Sequence, residues 1–155
     1  QQLSAVDLTI DGADEIDDRF QAIKGGGGAL LREKVIAAAS TRVIIIVDSS
    51  KLVAQLGKFP LPVEVVPFAS EFVCARLAEL GASVSLRSAG GTPFLTDQGN
   101  YILDAALDKI PAPSNIAAAV AAIPGVVEHG LFLDEIDTTM IARGAVVEVR
   151  YRGQA

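Results

Sequence analysis

The sequence is poor in the side chains that most often mark a redox, metal-binding or disulfide-stabilised protein. It has one cysteine, one histidine and no tryptophan, and aromatic residues make up 5% of the chain. The single cysteine, Cys74, cannot form a disulfide within the chain, which favours a reducing compartment such as the cytoplasm. Because Cys74 falls within an apolar helical pattern, we expect it to pack as a small hydrophobic side chain.

The only histidine, His129, narrows the possible chemistry further. The residues around it form neither a Ser-His-Asp nor a Cys-His pattern, and Cys74 and His129 alone cannot complete a metal site. We therefore expect His129 to be partly buried with its hydrogen bonds satisfied, rather than to act as a catalytic base or a metal ligand.

Positive charge and long apolar runs are also scarce. The chain has 13 Lys and Arg against 19 Asp and Glu, which gives a net charge of −6, and its basic residues do not cluster. This balance argues against nucleic acids and anionic membranes as partners. The longest strongly apolar run, 43–47, is far too short to span a bilayer, and no signal peptide is recognisable.

The chain does have enough apolar side chains for a substantial core. Half of its 155 residues are hydrophobic, which predicts a globular protein of one domain or two small ones. The sequence begins with Gln1-Gln2 rather than Met and reaches a strand pattern almost at once, so we expect further sequence upstream. A transit peptide in such a segment would place the protein in an organelle.

The first third of the chain alternates strand and helix patterns. Residues 5–10 and the β-branched run 42–47 are typical of buried strands, and we expect the second to be buried on both faces. Between them, 21–23 predicts a short strand and 29–39 a helix. This order predicts an open, largely parallel sheet with covering helices.

The pattern changes after Phe59-Pro60-Leu61-Pro62, which we interpret as a domain boundary. The following segment predicts the β-α-β-β-α-β order of a ferredoxin-like α+β domain. Its predicted elements are strands at 63–66, 83–87, 93–96, 101–103 and 126–129 and helices at 70–80 and 115–123. The turn 97–100 predicts a hairpin between its two neighbouring strands.

A last hairpin, 138–142 with 145–150, can return to the first sheet. Residues 59–131 would then be a small domain inserted into a larger one made of residues 1–58 and 132–155.

The first of two polar stretches is Asp11-Gly12-Ala13-Asp14-Glu15. Ligands of open parallel sheets bind beyond the carboxyl ends of the strands, where Asp11 and Asp14 stand. A tight turn at Asp11-Gly12 and a helix cap at Asp14 would explain the same residues without a ligand. Taken alone, this stretch leaves both interpretations open.

The second stretch is Lys24-Gly25-Gly26-Gly27-Gly28, ahead of the predicted helix. Each glycine in regular backbone costs about 0.5–1 kcal/mol relative to alanine, so four are more than a simple turn requires. Bare amides at a helix N-terminus favour an anionic ligand, although the run matches neither a Walker loop nor a dinucleotide fingerprint. Glu33 in the helix, Lys24, and Lys51 after the run 42–47 can each be solvated side chains or reach such a ligand.

Together, the two stretches resemble the signature motifs of the type A ribose-5-phosphate isomerase family. The second motif extends through Ala29-Leu30-Leu31-Arg32-Glu33-Lys34. The resemblance continues, in register and in order, through 47–51, 59–67, 96–100 and 123–127. It therefore covers essentially the whole chain and is far more specific than one glycine loop.

The resemblance implies interconversion of D-ribose 5-phosphate and D-ribulose 5-phosphate through a cis-enediolate, without a metal or organic cofactor. It implies Glu33 as the general base and Asp11, Asp14 and Lys24 as further catalytic residues. The substrate-binding residues that it implies are Asp11, Gly12, Ala13, Asp14, Lys24, Gly25, Gly26, Gly27 and, near the phosphate, Lys51. It also implies a homodimer or homotetramer whose Rossmann-like domain carries a smaller α/β domain.

Members of this family carry a longer N-terminal region with a Thr/Ser-rich, phosphate-clasping loop, which we expect to be missing here. Two other interpretations compete with the isomerase. A non-catalytic sugar-phosphate sensor of the same superfamily could dispense with Glu33 and Lys24, yet both are present. A CoA-transferase-like enzyme would use a glutamate as nucleophile but would be longer. The full set of motifs favours the isomerase.

Overall fold

The computed structural model describes residues 4–153, which form three helices and thirteen strands. Residues 1–3 and 154–155, which include Gln1-Gln2 and both ends of the predicted larger domain, lie outside the described residues. The helices are α1 (Leu30–Ala38), α2 (Ser70–Glu79) and α3 (Pro113–Ala121). The strands are β1 (Thr9–Asp11), β2 (Glu15–Ile16), β3 (Ala22–Ile23), β4 (Val43–Asp48), β5 (Leu61–Val65), β6 (Ser83–Leu86), β7 (Ser88–Ala89), β8 (Thr92–Pro93), β9 (Tyr101–Ala106), β10 (Val126–His129), β11 (Leu131–Phe132), β12 (Thr138–Arg143) and β13 (Val146–Tyr151). None of the three described helices is long and apolar enough to cross a membrane.

The first sheet has the order β1-β4-β12-β13. Strands β1, β4 and β12 run parallel, and β13 returns antiparallel to β12. The final hairpin therefore joins the first sheet, as the sequence predicted, and the largely parallel α/β architecture is confirmed. The strand predicted at 5–10 is shorter: β1 begins at Thr9, and before it Val6 makes only an isolated bridge to Ser40.

The expectation that the strands 5–10 and 42–47 are fully buried is wrong. On one face of β4, Val43, Ile45 and Val47 are buried in a core cluster. On the other face, Ile44 is buried, but Ile46 is 48% exposed, and Ile10, which pairs with Ile44 on β1, is 58% exposed. A β-branched run fits an extended backbone whatever lies over it, so the pattern indicated the strand but not its covering.

A small antiparallel sheet, β11-β3-β2, places the lysine that precedes the glycines. It packs beside the first sheet through buried Ile16, Ala22 and Phe132. Lys24 follows β3 directly, and its backbone N–H donates to Gly130 O at 2.9 Å. Gly130 lies so close that a Cβ there would overlap the Lys24 carbonyl oxygen, so this position requires glycine.

The second sheet has the order β10-β5-β9-β6, with every neighbouring pair antiparallel. Its strands share one core cluster with α2 and α3, which includes Val63, Val73 and Val120. Helix α1 packs against β5 and β10 of this sheet, while its Ala37 joins the core of the first sheet. The helix expected to cover the parallel sheet therefore also links the two sheets.

The hairpin predicted between 93–96 and 101–103 is wrong, although its turn exists. Thr96 N–H donates to Asn100 O at 2.9 Å, but β9 pairs with β5 and β6 instead. Pairing with β5 and β6 buries Ile102 and Leu103 of β9. The alternative partner, 93–96, begins at Pro93, which has no backbone N–H to donate, so pairing with it would stabilise β9 less. Fully buried Glu64 on β5 accepts from Thr96 Oγ1 and Asn100 Nδ2, both at 2.9 Å, and thereby holds the turn.

Candidate active site

A cavity of about 230 Å³ opens beyond the carboxyl end of β1. Its wall brings the two polar stretches together with the first turn of α1. The lining residues are Asp11, Gly12, Ala13, Asp14, Lys24, Gly25, Gly26, Gly27 and Glu33. These are all of the site residues that the sequence predicted, apart from Lys51.

Lys24 forms the charged centre of this cavity. Its Nζ lies 2.9 Å from Asp11 Oδ2 and 3.1 Å from Glu33 Oε2, and it also donates to Gly12 O. The lysine side chain is only 4% exposed, and its Nζ lies 5.3 Å from the centre of the Phe132 ring. A buried ammonium is stable only with compensating charge, which the two carboxylates supply.

Glu33 stands in the first turn of α1 with its side chain 24% exposed. Its Oε2 is buried and close to Lys24, but among the described residues it has no partner with hydrogen-bond geometry. The positive end of the helix dipole favours a carboxylate here. Glu33 therefore lies at a fixed position beside the cavity, and its Oε2 can still accept a hydrogen bond.

Of the local uses considered for the first polar stretch, the structure shows the tight turn and not the helix cap. Gly12 N–H donates to Asp11 Oδ1 at 2.8 Å, which makes the tight turn, while the other oxygen of Asp11 pairs with Lys24. Asp14 does not cap a helix as considered; its Oδ2 accepts from Gly26 N–H at 2.8 Å and joins the two stretches. Glu15, by contrast, is buried and accepts the backbone amides of Gly57 and Phe59.

Three of the four glycines leave little room for a Cβ, and one of them, Gly25, has φ +105° and would place its Cβ 2.9 Å from Cβ of Leu30. A Cβ on Gly26 would lie 2.5 Å from Asp14 Oδ1, and a Cβ on Gly28 would lie 2.5 Å from Cζ of Phe94. Gly28 also has φ +88°, a conformation that favours glycine. Gly27 differs, because a Cβ there would meet no heavy atom within 4 Å. The loop thus packs closely against its neighbours and leaves one open position, Gly27, at the cavity.

Two residues that support the glycine loop, Arg87 and Asp104, were not predicted from the sequence. Arg87 Nη1 donates to Gly25 O at 2.9 Å and to Gly26 O at 3.1 Å. Asp104 on β9 binds the same guanidinium through both carboxylate oxygens, at 2.9 Å and 2.5 Å. A lone arginine and a lone aspartate in strand patterns carry no local sign of such a contact, which depends on the pairing of β6 with β9.

Lys51 lies in a neighbouring cavity of about 280 Å³, which Lys58 also lines. Asp14 belongs to the walls of both cavities. The strand register explains why Lys51 and Asp11 line different cavities. Asp11 ends β1 opposite Ile45 of β4. Strand β4 then continues to Asp48, and Lys51 ends the short 3₁₀ helix Ser49–Lys51 that follows it. The structure thus brings Lys51 beside the first cavity and not into it.

A second buried cluster lies behind Phe132. Lys34 Nζ is 4.7 Å from the centre of that ring and donates to Glu128 Oε1, His129 O and Leu131 O. Burial lowers the pKa of Lys34. Burial and the nearby Lys34 charge lower the pKa of His129 to about 4, so this ring is neutral at neutral pH.

The expectations for the histidine and the cysteine agree with their surroundings. His129 is 8% exposed, and its Nδ1 accepts from Leu131 N–H at 3.2 Å. Cys74 is half-buried on α2 and packs against the core of the second sheet. Within residues 4–153, no three His, Cys, Asp or Glu side chains cluster closely enough to hold a metal ion.

Comparison with known proteins gives one consistent result. The profile of the family described as ribose 5-phosphate isomerase A (phosphoriboisomerase A) matches residues 1–145. Ribose-5-phosphate isomerase A of Sphingopyxis alaskensis is 83% identical over 155 residues, which cover 100% of this chain and 68% of that protein.

Two solved structures are also similar. Ribose 5-phosphate isomerase A from Neisseria gonorrhoeae superimposes with a TM-score of 0.90 at 40% identity, covering 97% of this chain and 66% of that one. A D-ribose-5-phosphate isomerase in complex with phospho-erythronic acid gives a TM-score of 0.91 at 36% identity, covering 96% and 66%. The chain thus spans about two thirds of the length of these relatives.

Proposed function

The chain belongs to the ribose 5-phosphate isomerase A family, and from this premise we propose that it interconverts D-ribose 5-phosphate and D-ribulose 5-phosphate. The observation that carries the proposal is the placement of Glu33, whose carboxylate lines the cavity 3.1 Å from buried Lys24. The relative solved with phospho-erythronic acid, a phosphorylated sugar acid, supports a sugar phosphate as the ligand.

Glu33 is the general base of the proposed reaction. It takes the C2 proton of the open-chain aldose while electrons move to the C1 carbonyl oxygen, forming a cis-enediolate. The O2 hydroxyl proton passes to O1, and Glu33 returns its own proton to C1, which leaves the carbonyl at C2. Proton transfer by a positioned carboxylate contributes about 10²–10⁴-fold to such a rate.

Lys24 supplies the fixed positive charge that the enediolate needs. Negative charge develops on the substrate oxygens during proton transfer, and a preorganised cation in a water-poor site stabilises it. The contacts of Lys24 with Asp11 and Gly12 O hold the ammonium in place before substrate binds. The cation therefore needs no rearrangement during the reaction.

The remaining polar groups of the cavity bind the sugar. Asp11 and Asp14 accept hydrogen bonds from its hydroxyls, and one of the two assists ring opening. Because three carboxylates and a single ammonium line this cavity, its charge disfavours a phosphate there. We place the phosphate towards Lys51 in the neighbouring cavity, whose wall shares Asp14.

We propose the same domain organisation that the sequence predicted. Residues 59–131 form a ferredoxin-like domain inserted into a Rossmann-like domain made of 1–58 and 132–155. Two observations support this: β4 pairs directly with β12 across the intervening segment, and the second sheet has antiparallel neighbours with α2 and α3 in one core. In the order of the chain, its four strands are arranged 4-1-3-2.

We further propose a homodimer or homotetramer in the cytoplasm. Exposed apolar side chains support self-association, among them Phe68 and Phe72 on one surface and Val147 on another. Light scattering coupled to size-exclusion chromatography tests this, and a monomer at micromolar concentration would contradict it.

The proposed activity is tested by incubating the chain with ribose 5-phosphate in D₂O and following the sugar by proton NMR. A catalyst forms the ketose and incorporates deuterium from solvent, whereas a non-catalytic binder of the same superfamily changes the ligand signals without forming ketose. The Sphingopyxis alaskensis relative, assayed at equal concentration, is the positive control. Binding of the sugar phosphate by the folded chain without ketose would overturn the isomerase and favour the binding module.

A further inference from the structure

We propose that Arg87, which lies between β6 and β7 outside the cavity, is a positioning residue that aims the amides of Gly26 and Gly27 into the cavity. Its effect on turnover rests on the proposed function, whereas the orientation of the two amides does not. The proposal stands on three contacts of one guanidinium: with the glycine loop, with Asp104 and with Phe94.

The contact with the loop holds two peptide groups, the first of which also accepts a turn hydrogen bond from Gly28 N–H to Gly25 O at 3.0 Å. Arg87 Nη1 donates to Gly25 O at 2.9 Å and to Gly26 O at 3.1 Å. The described residues contain no cis peptide bond, and in a trans peptide the carbonyl and the following N–H point in opposite directions. Holding the two carbonyls on the Arg87 side therefore turns the N–H groups of Gly26 and Gly27 to the other side.

The partners of these amides agree with that direction. Gly26 N–H donates to Asp14 Oδ2 at 2.8 Å, and Asp14 is a wall residue of the cavity. Gly27 N–H pairs with no acceptor among residues 4–153, and Gly27 also lines the cavity. One amide thus fixes a substrate-facing carboxylate, and the other is available to a ligand oxygen.

The guanidinium is itself held in one orientation. Asp104 binds Nε at 2.9 Å and Nη2 at 2.5 Å, which leaves Nη1 directed at the loop. The two side chains are only 15% and 22% exposed. The Phe94 ring, which packs on Gly28, lies 5.9 Å from the guanidinium carbon. Arginine suits this position because its planar fork serves a carboxylate and a further acceptor at once, which a lysine ammonium does less well.

Glycine is the reason that such a support is needed. A peptide between two residues without Cβ atoms can flip at little steric cost, and a flipped amide would present its carbonyl to an anionic ligand. A hydrogen bond from a guanidinium opposes the flip and polarises the peptide, which strengthens its N–H as a donor. Asp104 neutralises the arginine, so the cavity gains oriented donors without a further net charge.

The orientation is tested directly by amide hydrogen exchange of the unliganded chain, measured by NMR. Arg87→Lys keeps the charge opposite Asp104, but a single ammonium cannot bind Asp104 and reach the two loop carbonyls at the same time, so we expect the Gly26 amide to exchange at least about ten-fold faster. The Gly27 amide, which has no acceptor within the described part of the chain, is the internal reference, and Val63 in the core of β5 reports global unfolding. Arg76→Lys, the same change at an exposed ion pair on α2, is the matched control.

The catalytic consequence is read from kcat and KM with ribose 5-phosphate. We expect kcat/KM of Arg87→Lys to fall about ten-fold relative to Arg76→Lys, mainly through KM, because the amides bind the substrate before and during reaction. A purely structural salt bridge would leave both Gly26 exchange and KM at the values of the control, and that result would overturn the proposal. Faster Gly26 exchange in a chain without isomerase activity would uphold the orientation and reject the proposed function.

A second variant tests the same proposal in case Arg87→Lys does not fold. The double variant Arg87→Gln with Asp104→Asn leaves no unpaired buried charge and still lacks the guanidinium. We expect the same acceleration at Gly26, and unchanged exchange in this variant would also overturn the proposal.

Discussion

Glu33 Oε2 lies 3.1 Å from Lys24 Nζ, yet it is buried and hydrogen-bonded to nothing within residues 4–153. An ion pair of this kind fixes the position of a carboxylate without occupying its lone pairs. The same lysine is anchored on its other side by Asp11. The arrangement holds a carboxylate beside a cation, and both residues line the cavity.

Glu33→Gln tests this arrangement most directly. The amide has nearly the same shape but cannot take a proton from carbon, so we expect kcat to fall about 10²–10⁴-fold with little change in KM. Initial rates of ketose formation measure both quantities. Glu71→Gln, in the exposed first turn of α2, is the matched control. A kcat equal to that of the control would reject Glu33 as the base.

Lys51→Ala separates substrate binding from proton transfer. The side chain lies outside the cavity that holds Glu33, so we expect KM for ribose 5-phosphate to rise about ten-fold while kcat stays constant. Lys109→Ala removes an exposed lysine elsewhere and controls for net charge. Rising salt should raise KM of the parent chain but not that of Lys51→Ala. Equal KM values in the two variants would exclude a phosphate contact at Lys51.

His129 predicts a pH dependence of stability with a definite sign. Its pKa is lowered from 6.5 to about 4 in the folded chain, so between these values the unfolded chain binds the proton more readily. The stabilisation is complete above pH 6.5 and is lost as the pH falls towards 4, by up to about 3 kcal/mol.

His129→Gln removes this titration while leaving Glu128 and Lys34 in place. Urea unfolding at pH 7, 6, 5 and 4.5 should therefore show a smaller loss of stability in the variant than in the parent. Subtracting the two curves cancels the titration of the carboxylates that both proteins share. Parallel curves would mean that His129 is not held neutral by the fold.

Gly130→Ala tests the close approach that positions Lys24. A Cβ at Gly130 would overlap the Lys24 carbonyl oxygen and press on Pro62, so we expect a loss of about 3 kcal/mol in the free energy of unfolding. Gly27→Ala is the matched control, because its Cβ meets open space, and we expect a change within about 0.5 kcal/mol. Similar unfolding midpoints for the two variants would contradict the packing described at β11.

The sequence predicted local features well because they depend on local chemistry. The helix predicted at 29–39 is Leu30–Ala38, and the one predicted at 70–80 is Ser70–Glu79. The two polar stretches also meet at one cavity, because they follow β1 and β3. The roles of the individual site residues remain predictions, which the variants above address.

The features that the sequence did not predict depend on distant pairing. The turn at 97–100 suggested a local hairpin, but β9 gains more buried surface between β5 and β6. Arg87 and Asp104 meet only because of that pairing. The half-exposed Ile46 shows a similar limit. A hydrophobic side chain is favoured in a buried position, but the local sequence does not show whether another part of the fold packs over it.

The Arg87–Asp104 pair also restricts how this protein can be recombined. The glycine loop lies early in the chain, whereas Arg87, which donates to the Gly25 carbonyl, follows Gly25 by 62 residues. In a chimera that exchanges residues 59–131 between two homologues, the glycine loop would come from one protein and the residues at positions 87 and 104 from the other. Such a graft keeps the contacts of the loop only when the incoming segment also has arginine at position 87, phenylalanine at 94 and aspartate at 104, and the host has glycine at 28.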